Sequence, residues 1–227
     1  MSNVAVILGA GNSTRMKSEI SKLLFKIAGK TVIERSVNAF LEVSDVDEVI
    51  VTVREQDLES FSQILTDERV TFAIGGSTRQ QSVKNALETV DSAEMLIIHD
   101  GARPLVRTQD IENVIIAAKE HKAAAVGVAV KDTIKVVDKD NMVVHTPDRS
   151  TLFAVQTPQV FDFELYKKSL EKAEKEHKDY TDDCQLAENN GVKVKMVIGD
   201  YSNIKITTPD DVLTAEAILK KREASVL

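Results

Sequence analysis

The feature that most constrains the fold is a rhythm. Short apolar runs end in glycine- or acid-bearing loops, and amphipathic segments separate them. The runs lie at residues 4–8 (VAVIL), 48–53 (EVIVTV), 70–74 (VTFAI), 95–99 (MLIIH) and 124–130 (AAVGVAV). Between the first two, Thr31 caps a helix that puts Val32, Ile33, Ser36, Val37, Phe40 and Leu41 on one face, and Glu34 completes a capping-box pattern. Further helices are predicted near residues 57–65, over 79–90 with Val83, Ala86, Leu87 and Val90 facing inward, and over 108–121. Strands alternating with helices imply an α/β protein with a doubly wound, mainly parallel sheet. Ligands bind such sheets at the carboxyl ends of the strands. The polar motifs at residues 9–15, 75–79, 100–103 and 131–133 each follow an apolar run, where that rule wants them.

The rhythm then breaks. Residues 133–137 and 142–145 read as two strands joined by Asp138-Lys139-Asp140-Asn141, a hairpin signal, and 151–156 as a third strand. This stretch is too polar and too two-sided for the main sheet, which predicts a protruding β-hairpin arm at about 133–156. Helices return at 162–177 and 181–190, strands at 193–198 and 203–207, and Pro209 opens a last helix at its favoured first-turn position. With 227 residues, 43% of them hydrophobic, the chain can bury one sizeable core. The expectation is a single domain over 1–227 plus the arm.

The formal net charge of -7 disfavours extended nucleic-acid binding but allows a local basic pocket. A single cysteine, Cys184, leaves no intramolecular disulfide and fits a reducing compartment. Neither a signal-peptide pattern nor an apolar run near about 18 residues occurs. The expected protein is soluble and cytoplasmic, with no membrane or nucleic-acid partner.

Chemistry concentrates in the loop after the first run, Gly9-Ala10-Gly11-Asn12-Ser13-Thr14, with Arg15 and Lys22 behind it. Glycines let the backbone approach phosphates and present N–H groups to them, and the cations neutralise the remaining charge. The pattern suits a nucleoside triphosphate; an ordinary strand-to-helix turn is the competing reading. Two familiar fingerprints are excluded. Thr14 replaces the third glycine of a dinucleotide motif, and Gly29-Lys30-Thr31 lacks the first glycine of a P-loop because position 24 is Leu24. Asp100 ends the most hydrophobic strand, where a carboxylate can hold Mg²⁺ together with phosphates and water. Arg103 either shares that cleft or pairs with Asp100 to shape a turn. His99 reads as a structural hydrogen-bonding residue, and Cys184 as packing. Residues 75–82 carry hydroxyls and amides suited to a base or ribose, or simply form a loop and helix cap. In 203–207, strand alternation would put Asn203, Lys205 and Thr207 on one face. Thr181-Asp182-Asp183 reads as a helix cap.

Taken in order, LGAGNSTRM (8–16), SKLL (21–24), GGSTRQQSV (75–83), HDGARP (99–104), VKDTIK (130–135), TPDRS (146–150), QTPQ (156–159), TDD (181–183) and NIKITTPDD (203–211) resemble the 2-C-methyl-D-erythritol 4-phosphate cytidylyltransferases. Each motif alone is weak; the ordered set, from position 4 to about 219, is specific. The resemblance implies CMP transfer from CTP to methylerythritol phosphate with Mg²⁺, in non-mevalonate isoprenoid synthesis. It further implies that Leu8, Gly9, Ala10 and Gly11 wrap the triphosphate, with Arg15, Lys22 and Lys205 catalytic. Gly76, Ser77 and Ser82 would recognise cytosine and ribose, with Gly101 beside the ribose and Asp100 on the metal. Arg103 and Thr207 would contact the acceptor. Thr133 and Arg149 would reach from the arm into the partner's site of a homodimer. The chain departs from the family pattern at Ser21-Lys22-Leu23, where members often have Pro-Lys-Gln, and at Ser77, where many have Asp. A pentitol-phosphate cytidylyltransferase acting on ribitol 5-phosphate is the nearest alternative; a non-catalytic nucleotide-binding protein of the same fold is a further one.

Overall fold

A computed structural model describes residues 2–11 and 21–224. In chain order the elements are β1 (Asn3–Leu8), β2 (Lys26–Ile27), β3 (Lys30–Thr31), α1 (Val32–Leu41), β4 (Glu48–Val53), α2 (Leu58–Ile64), β5 (Val70–Ile74), α3 (Arg79–Leu87), β6 (Met95–Asp100), α4 (Thr108–His121) and β7 (Ala123–Ala129). They continue with β8 (Val136–Val137), β9 (Val143–His145), β10 (Phe153–Asp162), α5 (Phe163–Lys175), α6 (Asp183–Asn189), β11 (Lys195–Ile198) and α7 (Pro209–Ala224). The main sheet has seven strands in the order β11-β7-β10-β6-β1-β4-β5. β1 runs parallel to both neighbours, β4 to β5 and β11 to β7; β10 alone is antiparallel to the strands beside it. The doubly wound, mainly parallel architecture is the one the apolar rhythm implies.

Alternation along each strand explains the layers. Ala5, Ile7, Ile97 and Val51 face α1 and α4, where Ile33, Val37, Phe40, Ile111 and Val114 close one core. Val4, Val6, Leu96 and Ile98 face the other way, onto Val83 and Ala86 of α3 and Tyr166 and Leu170 of α5. Strands covered on both faces must be apolar at every position, which is why these runs do not alternate with polar residues. Local signals set the helix starts. Thr31 accepts the Glu34 N–H at 3.2 Å while Glu34 accepts the Thr31 N–H at 2.7 Å, the reciprocal capping box. Thr78, Asp162 and Asp182 cap α3, α5 and α6 by accepting the N–H three residues on.

From β1 the chain steps outward to β4 and β5, then returns to the other side of β1 as β6. That reversal opens a crevice beyond the carboxyl ends of β1 and β6. The loop after Leu8 and the carboxylate of Asp100 therefore meet there by topology.

Two expectations are corrected. Residues 151–156 do not form a third strand of the arm: Phe153, Ala154 and Val155 pair with Ala129, Val128 and Gly127, so β10 belongs to the main sheet. A bulge between Val155 and Gln159 divides its exposed first residues from its buried half, and that exposed end is what made the segment read as two-sided. The arm is the hairpin β8–β9, within a stretch, 131–146, that is exposed throughout. Residues 203–207 likewise form no strand. The Ile206 N–H donates to the Ala102 carbonyl at 2.8 Å, and Asn203 is buried, so the segment is a loop held against the end of β6. Among the described residues no helix is long and apolar enough to cross a membrane.

Candidate active site

A cavity of about 520 Å³ opens at the carboxyl ends of β1, β4, β5 and β6. Its walls include Leu8, Gly9, Ala10 and Gly11 on one side, Gly75 to Arg79 with Ser82 on another, and Lys22, Asp100 and Lys205 at the base. The volume suits a nucleotide-sized ligand. Glycine is required where backbones meet. A Cβ on Gly9 would lie 2.6 Å from the Thr52 carbonyl oxygen, to which the Gly9 N–H donates at 2.9 Å. A Cβ on Gly101 would lie 2.9 Å from the Leu8 carbonyl oxygen, so Gly101 lets the ends of β6 and β1 sit side by side.

The base of the cavity is electrostatic. Asp100 is paired with Lys205 Nζ at 2.8 Å and faces Arg103 Nε at 3.5 Å and Arg79 Nε at 3.8 Å. Burial alone would raise its pKa, but the Lys205 and Arg79 charges outweigh that and hold the carboxyl well below the usual range. Lys22 opens a short 3-10 turn, Lys22–Leu24, capped by Ser21, and its ammonium donates to the Ile206 carbonyl at 2.8 Å. That bond ties the segment behind β1 to the loop carrying Lys205. Among the cavity residues Lys22, Arg54, Arg79 and Lys205 outnumber the acids Glu55 and Asp100. On a chain of net charge -7 this is a local excess of positive charge suited to a polyanion.

Other predicted residues have defined duties. The Ser82 hydroxyl donates to the Thr78 carbonyl at 2.9 Å and accepts the Gly76 N–H at 3.0 Å, so it shapes the loop before α3. Exposed Ser77 donates to Gln81 Oε1 at 2.9 Å. Arg103 donates to the Asn203 carbonyl at 2.8 Å and supports the Lys205 loop. Thr207 donates its N–H and hydroxyl to Asp211 at 2.7 and 2.8 Å, at the start of α7. Thr133 and Arg149 are exposed beside the hairpin and line no part of this chain's cavity; Arg149 donates to the Lys131 carbonyl at 2.6 Å. Arg15 lies outside the described residues.

His99 is the structural residue its position suggested. The Arg103 carbonyl beside Nε2 can only accept, so Nδ1 is the ring's acceptor: it takes the Thr157 hydroxyl proton at 3.0 Å, while that hydroxyl oxygen accepts the Asp100 N–H at 3.0 Å. The ring proton then sits on Nε2, facing the Arg103 carbonyl at 3.2 Å. Burial pushes this neutral imidazole down to about 4. Cys184 is buried, and burial with the neighbouring Asp182 and Asp183 charges pushes its thiol up, so it packs rather than reacts.

Arg79 was not singled out in the sequence. It lines the cavity and pairs with both Asp100 and buried Asp183. A signal was there: it occupies the first turn of α3, where the helix dipole disfavours a cation, so something else must hold it.

A doubly wound sheet with a glycine loop at its switch point and a cationic crevice beside it defines a nucleotide-binding α/β protein. Residues 3–221 match the family model of 2-C-methyl-D-erythritol 4-phosphate cytidylyltransferase, and the chain belongs to that family. The relative so named from Caldanaerobacter subterraneus subsp. tengcongensis is 48% identical over 223 residues, covering 96% of this chain and 98% of its own. One from Clostridium acetobutylicum is 42% identical over 224 residues, with the same coverages of 96% and 98%. Among solved structures, 4-diphosphocytidyl-2C-methyl-D-erythritol synthase from Anaerococcus prevotii superposes with a TM-score of 0.88 at 33% identity, covering 96% of both chains. The Thermus thermophilus 2-C-methyl-D-erythritol 4-phosphate cytidylyltransferase gives 0.79 at 29% identity, covering 97% of this chain and 100% of that one.

Proposed function

We propose that the chain transfers CMP from CTP to 2-C-methyl-D-erythritol 4-phosphate and releases pyrophosphate, a step of non-mevalonate isoprenoid synthesis. Besides family membership, the observation that carries this reading is the convergence of Lys22, Arg79 and Lys205 on a glycine-walled crevice. A phosphate oxygen of the acceptor attacks the α-phosphorus in line, a new P–O bond forms, and the bond to pyrophosphate breaks. The nucleophile is already an anion, so no general base is needed. Catalysis is positioning and charge neutralisation, which agrees with a buried, neutral His99 and an unreactive Cys184.

The backbone of Leu8 to Gly11 wraps the triphosphate, and Arg15 and Lys22 bear on its phosphates. Gly76, Ser77 and Ser82 with Gly101 frame the cytosine and ribose. Lys205 faces the α-phosphate, while Arg103 and Thr207 serve the acceptor end. Mg²⁺ fits Asp100, which stays ionised and faces the cavity. Mg²⁺ needs only one or two protein carboxylates beside phosphates and water, so Asp100 would suffice to hold it. When bound, the ion would neutralise charge developing on the phosphate oxygens.

We read the chain as one soluble cytoplasmic domain, residues 1–227, that pairs through its hairpin, so that Thr133 and Arg149 complete the partner's site. Support comes from the apolar side chains exposed there: Met142 at 67%, Val143 at 57% and Val144 at 62%. Patches of this kind mark interaction surfaces. The test of the whole reading is pyrophosphate release from CTP with methylerythritol phosphate and, in parallel, ribitol 5-phosphate. Clear preference for methylerythritol phosphate is expected; preference for ribitol phosphate would overturn the acceptor assignment.

A further inference from the structure

Behind Arg79 and Asp100 lie two groups that the reaction above leaves unused, Asp183 and Tyr166. The Tyr166 hydroxyl on α5 donates to Asp183 Oδ1 at 2.7 Å. The other oxygen, Asp183 Oδ2, accepts from a terminal nitrogen of Arg79. Arg79 Nε in turn faces Asp100 Oδ1. Tyr166 is fully buried and Asp183 is 3% exposed, whereas the Arg79 side chain, 23% exposed, reaches the cavity.

Two features bear on what this chain of groups does. A buried ion pair gives little net stability, because desolvation offsets the attraction. The Arg79–Asp100 separation, 3.8 Å, is also too long for a hydrogen bond. Asp183 holds a terminal nitrogen of the guanidinium, while Nε stays 3.8 Å from Asp100 Oδ1. Arg79 thereby lends Asp100 its charge without occupying Oδ1. Burial and the Asp183 charge push the Tyr166 hydroxyl well above its ordinary range, so it remains a donor that fixes the Asp183 carboxylate.

We propose that Asp183, braced by Tyr166, is a positioning residue that holds Arg79 off Asp100 and so keeps an Asp100 oxygen open to a divalent cation arriving with the nucleotide. This rests on the reading that the crevice binds CTP with Mg²⁺. If Asp183 is neutralised, Arg79 keeps Asp100 as its remaining carboxylate and competes with the cation for it.

The test is calorimetric titration of the full-length protein with CTP, with and without Mg²⁺, for wild type, Asp183→Asn, Arg79→Gln and the double variant. Asp183→Asn should weaken binding about tenfold with Mg²⁺, the size of one charge-assisted contact, and leave metal-free binding unweakened. In the Arg79→Gln background the same substitution should cost nothing more, because Asp183 acts through Arg79. An equal loss with and without Mg²⁺, an equal loss in both backgrounds, or no loss at all overturns the proposal. Thermal unfolding accompanies each variant. Should Asp183→Asn not fold, Tyr166→Phe removes only the brace and should weaken the Mg²⁺-dependent binding about threefold; unaltered metal-dependent binding there also overturns it. A wild type that binds CTP with Mg²⁺ but turns over neither acceptor overturns the reaction assigned above, and the titrations still read the anchor. A wild type that binds no CTP overturns both.

Discussion

Lowering the pH should destabilise the fold through one buried imidazole. His99 is fully buried, tilted against Phe40 at a ring separation of 4.8 Å, and both of its nitrogens are already engaged. A second ring proton would leave the Thr157 hydroxyl proton without its acceptor, in a site that also holds the Arg103 and Lys205 charges. Burial above all, aided by those two charges and opposed by Asp100, puts the folded value near 4, against 6.5 in an unfolded chain. Because the folded value is the lower one, the unfolded state takes up the proton first. Stability from this residue is fully present above about pH 6.5 and is lost progressively as pH falls toward 4. At about 1.4 kcal/mol per pH unit the loss across that window reaches about 3 kcal/mol, a large part of the 5–15 kcal/mol typical of a domain. The assay is urea unfolding of wild type and His99→Gln between pH 7.5 and pH 4. Other titrating groups cancel in the difference, so the wild-type advantage should shrink steadily below about pH 6.5. A difference that stays flat with pH would refute the neutral, doubly bonded imidazole.

Lys22→Ala should lower kcat/KM for CMP transfer by at least about 100-fold, about 3 kcal/mol, as for loss of one donor at a charge-developing site; steady-state pyrophosphate release checks it, and near-normal turnover removes Lys22 from the chemistry. Mixing inactive Arg149→Ala and inactive Lys22→Ala chains should restore part of the activity once subunits exchange, since a hybrid dimer holds one intact site; verified exchange without recovery counts against a site shared between copies. Phe40→Ala, at a fully buried position between α1 and the sheet, should cost about 3–5 kcal/mol in denaturant unfolding. A cost below about 1 kcal/mol would mean that this core is not packed as described.

Local chemistry was legible from the chain because its causes are local. The capping box at Thr31 and Glu34, the apolar runs of β1, β4 and β6 and the inward face of α3 all depend on residues a few positions apart. The glycine loop and Asp100 were identifiable because a parallel sheet must present the ends of its strands to the same crevice. The 151–156 segment was misassigned because polarity reports exposure, not the strand that lies alongside. Its pairing with β7 is a backbone ladder to which side chains give little clue. Residues 203–207 alternate as a strand would, yet bond to Ala102, a partner about a hundred residues away.

By itself the sequence determined the fold class, the gathering of polar motifs at the strands' carboxyl ends and the types of residue found there. The tertiary structure alone decided which charges answer one another. Lys205 meets Asp100, Lys22 meets the Ile206 carbonyl, and Arg79, 104 residues from Asp183 in the chain, is held by it. The reason is that a charge declares its sign in the sequence but not its partner. Which opposite charge it meets, and how far each is desolvated, is set by long-range packing of the sheet and helices that carry them.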